Sequence, residues 1–135
     1  MAKSKQLLGL DIGAARIGVA LADTGVRIAI PHGYINVDGN EVAAIAELVI
    51  SNSIDTVIVG YPRNQSGEAT QQTAYVEEFA EELKDLDATL VFQDESLTSV
   101  MAEQRLAARR KNYEKGDIDS EAAAIILQDY MEQNL

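Results

Sequence analysis

A chain of 135 residues, 47% hydrophobic and 24% charged, is sized for one domain around one core. It contains no cysteine, which excludes disulfides, thiolate metal sites and cysteine nucleophiles. Its net charge of −11 repels nucleic acid from most of the surface, because phosphate binding depends on Lys and Arg displacing counterions.

Residues Met1 to Leu8 lack the apolar core and small-residue cleavage pattern of an export signal, and no window approaches the roughly 20 apolar residues of a membrane helix. The expectation is a soluble, cytoplasmic protein.

The first element is the apolar run Leu7-Leu8-Gly9-Leu10, which leads into Asp11-Ile12-Gly13 and reads as a buried strand that delivers a carboxylate to the sheet rim. Asp11 can serve chemistry there, or merely hydrogen-bond the following turn. Arg16 to Ala22 is a second strand, Asp23-Thr24-Gly25 a turn, and Val26 to Ile30 a third strand, interrupted by Pro31 and Gly33 and resumed at the sheet edge by Tyr34 to Val37. Strands this close in sequence pair as antiparallel hairpins. His32, beside Pro31, is expected to be ordinary surface.

From Asn40 the period changes. Val42, Ile45, Ala46 and Val49 carry the spacing of an amphipathic helix that ends near Ser51-Asn52-Ser53. Thr56 to Gly60 is a β-branched run suited to a buried parallel strand, and Gly60 to Gly67 is a loop of turn residues. A helix follows from Thr70 to Leu86 with Tyr75, Val76, Phe79 and Leu83 on one face. Ala88 to Gln93 is the fifth strand, ending in Asp94 and Glu95. Ser99 to Lys111 reads as a helix capped by Thr98 or Ser99, Lys111 to Gly116 as a polar, basic loop, and Asp119 onward as a last helix packed through Ala122, Ala123, Ile126 and Leu127. The order defines an α/β domain with a mixed sheet spanning 1–135.

Parallel strands present their carboxyl ends at one edge, where open α/β sheets place their sites. Asp11 leaves strand one there, Asp94 or Glu95 leaves strand five, and Asp117 or Asp119 opens the last helix. Strand alternation lets only one of Asp94 and Glu95 reach a common site, and spacing alone does not choose between them or between Asp117 and Asp119. Clustered carboxylates repel unless protonated or bridged by a cation. Oxygen donors without Cys or His neighbours select Mg²⁺ or Mn²⁺, the ions used for in-line phosphodiester hydrolysis. Five of the eleven basic residues, Arg105, Arg109, Arg110, Lys111 and Lys115, fall within eleven positions and read either as a solvated helix face or as a phosphate-binding patch.

Leu10-Asp11-Ile12-Gly13 with Arg16-Ile17-Gly18-Val19-Ala20 resembles the opening of the YqgF family, also called RuvX, which is associated with Holliday junction resolution. The match continues through Val59-Gly60-Tyr61-Pro62-Arg63-Asn64 with Gly67, Asp94-Glu95-Ser96-Leu97-Thr98, and Ile118 to Leu127. The resemblance implies an RNase H-like fold with strand order 3-2-1-4-5. It also implies a metal-dependent nuclease, acting either in 5′-end maturation of 16S ribosomal RNA or on DNA junctions, with ribosomal assembly particles as further partners. It assigns Asp11, Glu95 and Asp119 as the catalytic and metal-binding set, with Mg²⁺ or Mn²⁺ as cofactor.

The loop of Arg63 and Asn64, together with Arg109, Arg110 and Lys111, is the expected substrate contact. Three positions depart from the family pattern: Ser96 replaces an Arg, Tyr61 a Leu and Asp117 a Lys. Two lost cations and one added carboxylate weaken phosphate attraction near the site. Competing readings are a largely non-catalytic nucleic-acid-binding or ribosome-assembly module and, last, an actin-like phosphate loop, for which the chain is too short. Paired active sites in junction-cutting relatives make a homodimer an alternative to a monomer.

Overall fold

Two kinds of residue divide the central sheet. One face is built from large aliphatic side chains and the other largely from glycine and alanine, and this difference determines what each face can hold. The computed structural model describes residues 4–62, 70–95, 104 and 115–135. Its strands are β1 (Gln6–Ile12), β2 (Arg16–Asp23), β3 (Ile30–Asn36), β4 (Thr56–Pro62) and β5 (Thr89–Glu95). They form one sheet in the order β3-β2-β1-β4-β5. β1 pairs antiparallel with β2, and β2 with β3, whereas β1 with β4 and β4 with β5 run parallel. The strand order and the mixed pairing agree with expectation.

Leu8, Leu10, Ile12, Ile17, Val19, Val57 and Val59 cover the first face. They pack against α1 (Glu41–Ser51) through Ile45 and Val49, and against α2 (Gln71–Glu82) and the turn after it through Val76, Phe79 and Leu83. α2 starts at the predicted place because Thr70 caps it: the Thr70 hydroxyl accepts from the Thr73 N–H while the Thr73 hydroxyl accepts from the Thr70 N–H. Thr73 also donates to the Pro62 carbonyl, which ties the start of α2 to the end of β4.

The second face carries α3 (Lys115–Asn134), which crosses the sheet from one edge to the other. Gly116 meets the Tyr34 ring on β3, Asp119 lies on Gly18 of β2, and Ala123 and Leu127 lie on Gly9 of β1. Gln93 of β5 donates to Gln133 at 3.1 Å. Such close seating requires missing side chains. A Cβ at Gly18 would overlap the Asp119 carbonyl oxygen outright, and one at Gly9 would stand 2.9 Å from the Leu127 Cβ.

Three expectations are corrected. The third strand begins at Ile30, not at Val26. Arg27 has a left-handed backbone (φ 64°) that a strand does not accommodate. The Arg27 carbonyl and the Ala29 N–H are taken by the Gln128 side chain of α3, at 3.1 and 2.9 Å. Pro31 and Gly33 lie inside β3 rather than interrupting it, since an edge strand has one side with no ladder to satisfy.

The last helix starts at Lys115, so Gly116 is helical rather than part of a loop and Asp119 is not its N-cap. Gly116 reads as loop punctuation, yet it is there because the Tyr34 ring occupies the place of a Cβ. The expected helix at 99–111, apart from residue 104, and most of the loop at 60–67 lie outside the described residues. Among the described residues no helix is long and apolar enough to cross a membrane.

Candidate carboxylate centre at the sheet rim

Asp11 is the last but one residue of β1, and the β1–β2 ladder sets it directly opposite Gly18. Because Gly18 has no side chain, α3 descends onto β2 at this level and carries Asp119 to Asp11. The pairing is visible in the electrostatics. Burial first, and the charge of Asp119 second, push the Asp11 carboxyl up to about 7 from an ordinary 3.8. At neutral pH, Asp11 is therefore poised between its protonated and charged forms.

Asp119 is held from the other side. The Arg16 Nε donates to Asp119 Oδ2 at 2.6 Å, with the two side chains 31% and 23% exposed. Arg16 is the first residue of β2, and its carbonyl accepts from the Gly13 N–H at 3.0 Å, closing the turn that follows Asp11. Across the rim, Gln72 of α2 donates to the Ile12 carbonyl at 2.9 Å and braces the exit of β1.

Of the three carboxylates expected to form the site, the structure brings Asp11 and Asp119 together. Glu95 is placed by its backbone as the last residue of β5, in register with Pro62 at the same carboxyl-end rim. Among the described residues no group of three metal-capable side chains is assembled. Arg63, Asn64, Arg109, Arg110 and Lys111 lie outside the described residues. His32 is exposed on β3.

The alternatives separate spatially. Asp94 lines a cavity of about 500 Å³ beside β5, together with Tyr61, Glu77, Phe92 and Tyr130. Asp117 lies in the first turn of α3, where a negative charge complements the helix dipole. Tyr61, one of the departures from the family pattern, has local work: its hydroxyl donates to Glu77 at 2.8 Å and its ring meets Phe92 edge-on at 5.1 Å.

Two residues were not singled out from sequence. Arg16 was visible only as a motif letter, although its place across the hairpin from Gly13 was a usable signal. Glu121 is almost fully buried in α3, two residues beyond Asp119; its apolar flanks Ala122 to Ile126 hinted at that burial.

The Asp11–Asp119 pair stands at the carboxyl end of the parallel strands, on a sheet of order 3-2-1-4-5. This architecture is the RNase H-like fold. Solved structures agree on the fold. Thermus thermophilus RuvC bound to a Holliday junction substrate superposes with TM-score 0.60 at 15% identity, covering 96% of both chains. The fowlpox virus resolvase with its Holliday junction DNA gives TM-score 0.59 at 13% identity, covering 96% of this chain and 99% of that one.

The chain belongs to the RuvX family, whose model, described as Holliday junction resolvase, matches residues 5–133. Curated relatives named "Putative pre-16S rRNA nuclease" include one from a Sulfurihydrogenibium species, 37% identical over 95% of this chain and 90% of its own length. Another, from Chloroflexus aurantiacus, is 41% identical over 93% of this chain and 86% of its own length.

Proposed function

We propose that the whole chain works as one metal-dependent endonuclease domain that hydrolyses phosphodiester bonds in the cytoplasm, with the 5′ end of pre-16S ribosomal RNA as its substrate. The observation that carries this reading is the Asp11–Asp119 pair, a buried carboxyl raised to about 7 against a second carboxylate at the parallel-strand rim. Two carboxylates so close are strained without a cation between them, and a divalent ion relieves that strain. All donors are oxygens, which fits Mg²⁺ or Mn²⁺ and disfavours ions that prefer sulfur or imidazole.

Asp11 and Asp119 would hold the ion, with Glu95 completing the set from the end of β5. A bound divalent ion supplies positive charge where phosphodiester hydrolysis develops negative charge, at the attacking and leaving oxygens. The chain's own part is to orient the carboxylates. Gly18 brings α3 down, Arg16 holds one Asp119 oxygen, and Gln72 steadies the exit of β1. The substrate contacts assigned to Arg63, Asn64, Arg109, Arg110 and Lys111 supply phosphate attraction that a chain of net charge −11 otherwise lacks.

The names of the curated relatives favour the RNA substrate. The description of the family model favours a second reading, a four-way DNA junction. A Mn²⁺-dependent cleavage assay offering pre-16S ribosomal RNA, four-way junctions and single strands separates the two. Preferential cleavage of the ribosomal precursor, abolished in Asp11→Asn, Glu95→Gln and Asp119→Asn, is the expected result. Cleavage that survives all three substitutions contradicts the site. Metal-independent binding without cleavage of any substrate supports an assembly module instead.

A further inference from the structure

We propose that Arg16 is a positioning residue, aiming the Asp119 carboxylate at the divalent cation by holding its Oδ2. The inference rests on the metal-dependent reading above and assigns a task to a residue outside the carboxylate set.

The backbone of Asp119 is already fixed, because α3 presses on Gly18 with no room for a side chain between them. What remains free is the torsion of the Asp119 side chain, and Arg16 removes that freedom. Its Nε makes one short bond to one oxygen, 2.6 Å to Oδ2. The contact is charge-assisted and directional, and gripping one oxygen holds the whole planar carboxylate in one orientation. Arg16 is in turn anchored by the Gly13–Arg16 turn, so the guanidinium is delivered from the same hairpin that delivers Asp11. Both carboxylates are thereby referred to one rigid unit.

Stability is a poor explanation for this ion pair. With side chains 31% and 23% exposed, it is open enough to solvent for its contribution to folding to be small. Orientation of a metal-binding carboxylate is a different matter. Partners that fix such ligands typically change metal affinity by about 10–100-fold when removed.

The test is calorimetric titration of Mn²⁺ alone into wild-type, Arg16→Gln, Arg16→Lys, Asp119→Asn and Arg16→Gln/Asp119→Asn proteins, with thermal melts of each in the absence of metal. Arg16→Gln should weaken Mn²⁺ binding about 10–100-fold while leaving the metal-free melting temperature nearly unchanged. Arg16→Lys should recover part of the loss, since a cation is restored without the Nε geometry. In the Asp119→Asn background, Arg16→Gln should cost nothing further. Equal or tighter Mn²⁺ binding by Arg16→Gln overturns the inference, as does an undiminished effect in the Asp119→Asn background. A wild-type protein that takes up no Mn²⁺ overturns the nuclease reading as well, whereas wild-type binding matched by Arg16→Gln overturns this inference alone.

Discussion

The two faces of the sheet share five strands yet are built on opposite plans. Beneath α1 and α2, Leu8, Leu10, Ile12, Ile17, Val19, Val57 and Val59 fill the space with branched side chains, and the helices rest on that layer. Beneath α3, Gly9, Gly18, Ala20 and Ala22 let the helix approach closely, with the Asp119 backbone on Gly18, while Leu7 and Ile58 fill the rest of that layer. The first arrangement maximises apolar burial and tolerates small adjustments. The second gives up side-chain volume for position, because a helix that touches the strands directly cannot slide without collision. The carboxylate pair stands on the second face. Large side chains fill the first face, and the close approach that brings Asp119 to Asp11 occurs where a side chain is missing.

Gly18→Val is the strongest way to break this division. The added side chain meets the backbone of Asp119 rather than a movable side chain, so no rotamer relieves it. A loss of about 3 kcal/mol or more in urea unfolding is expected, together with loss of Mn²⁺ binding. Leu10→Ala, on the other face, should cost a comparable 2–5 kcal/mol, roughly, by leaving a cavity in a fully buried site. Its cleavage rate per folded molecule should stay close to wild type. A Leu10→Ala protein that keeps its stability but loses cleavage would erase the distinction between the faces.

A third, pH-dependent effect belongs to the α3 face alone. The Asp11 carboxyl is raised from 3.8 to about 7 in the folded chain, so the native state binds the proton more tightly than the unfolded chain. Stability from this group is therefore fully present below pH 3.8 and falls as pH rises toward 7, by an amount on the order of a few kcal/mol. Asp11→Asn carries no such charge. Without metal, its melting temperature should exceed that of wild type at pH 8, and the gap should close near pH 4. The smallest expected effect is Tyr61→Phe, which removes an exposed hydroxyl contact to Glu77 and should cost under about 1 kcal/mol in the same melts.

Which of these features could be read from the sequence follows the same division. Continuous apolar runs and the 3.6-residue period locate β1, β2, β4, β5 and the helices on the aliphatic face, because burial of large side chains leaves a direct imprint on residue order. Asp11 was legible as a carboxylate at a strand exit. The choice of Asp119 over Asp117 came from the family resemblance, not from spacing. Features of the glycine face were harder to read. Gly116 looks like a loop residue until the Tyr34 ring is seen in the place of its missing Cβ. Val26 to Ala29 looks like a strand until Gln128, about a hundred residues away, takes its backbone groups. The Arg16–Asp119 bond joins residues 103 positions apart, and no local pattern announces it. Long-range contacts made by absent or polar side chains leave little periodic trace.

The most direct test of the central claim is the titration of the Asp11 carboxyl carbon by NMR, with and without Mg²⁺. Without the ion, the midpoint should lie near 7; with saturating Mg²⁺, it should fall back into the ordinary carboxylate range, because a cation between Asp11 and Asp119 favours the charged form. A midpoint that stays raised and indifferent to Mg²⁺ would contradict the assignment of this pair as the metal-binding centre.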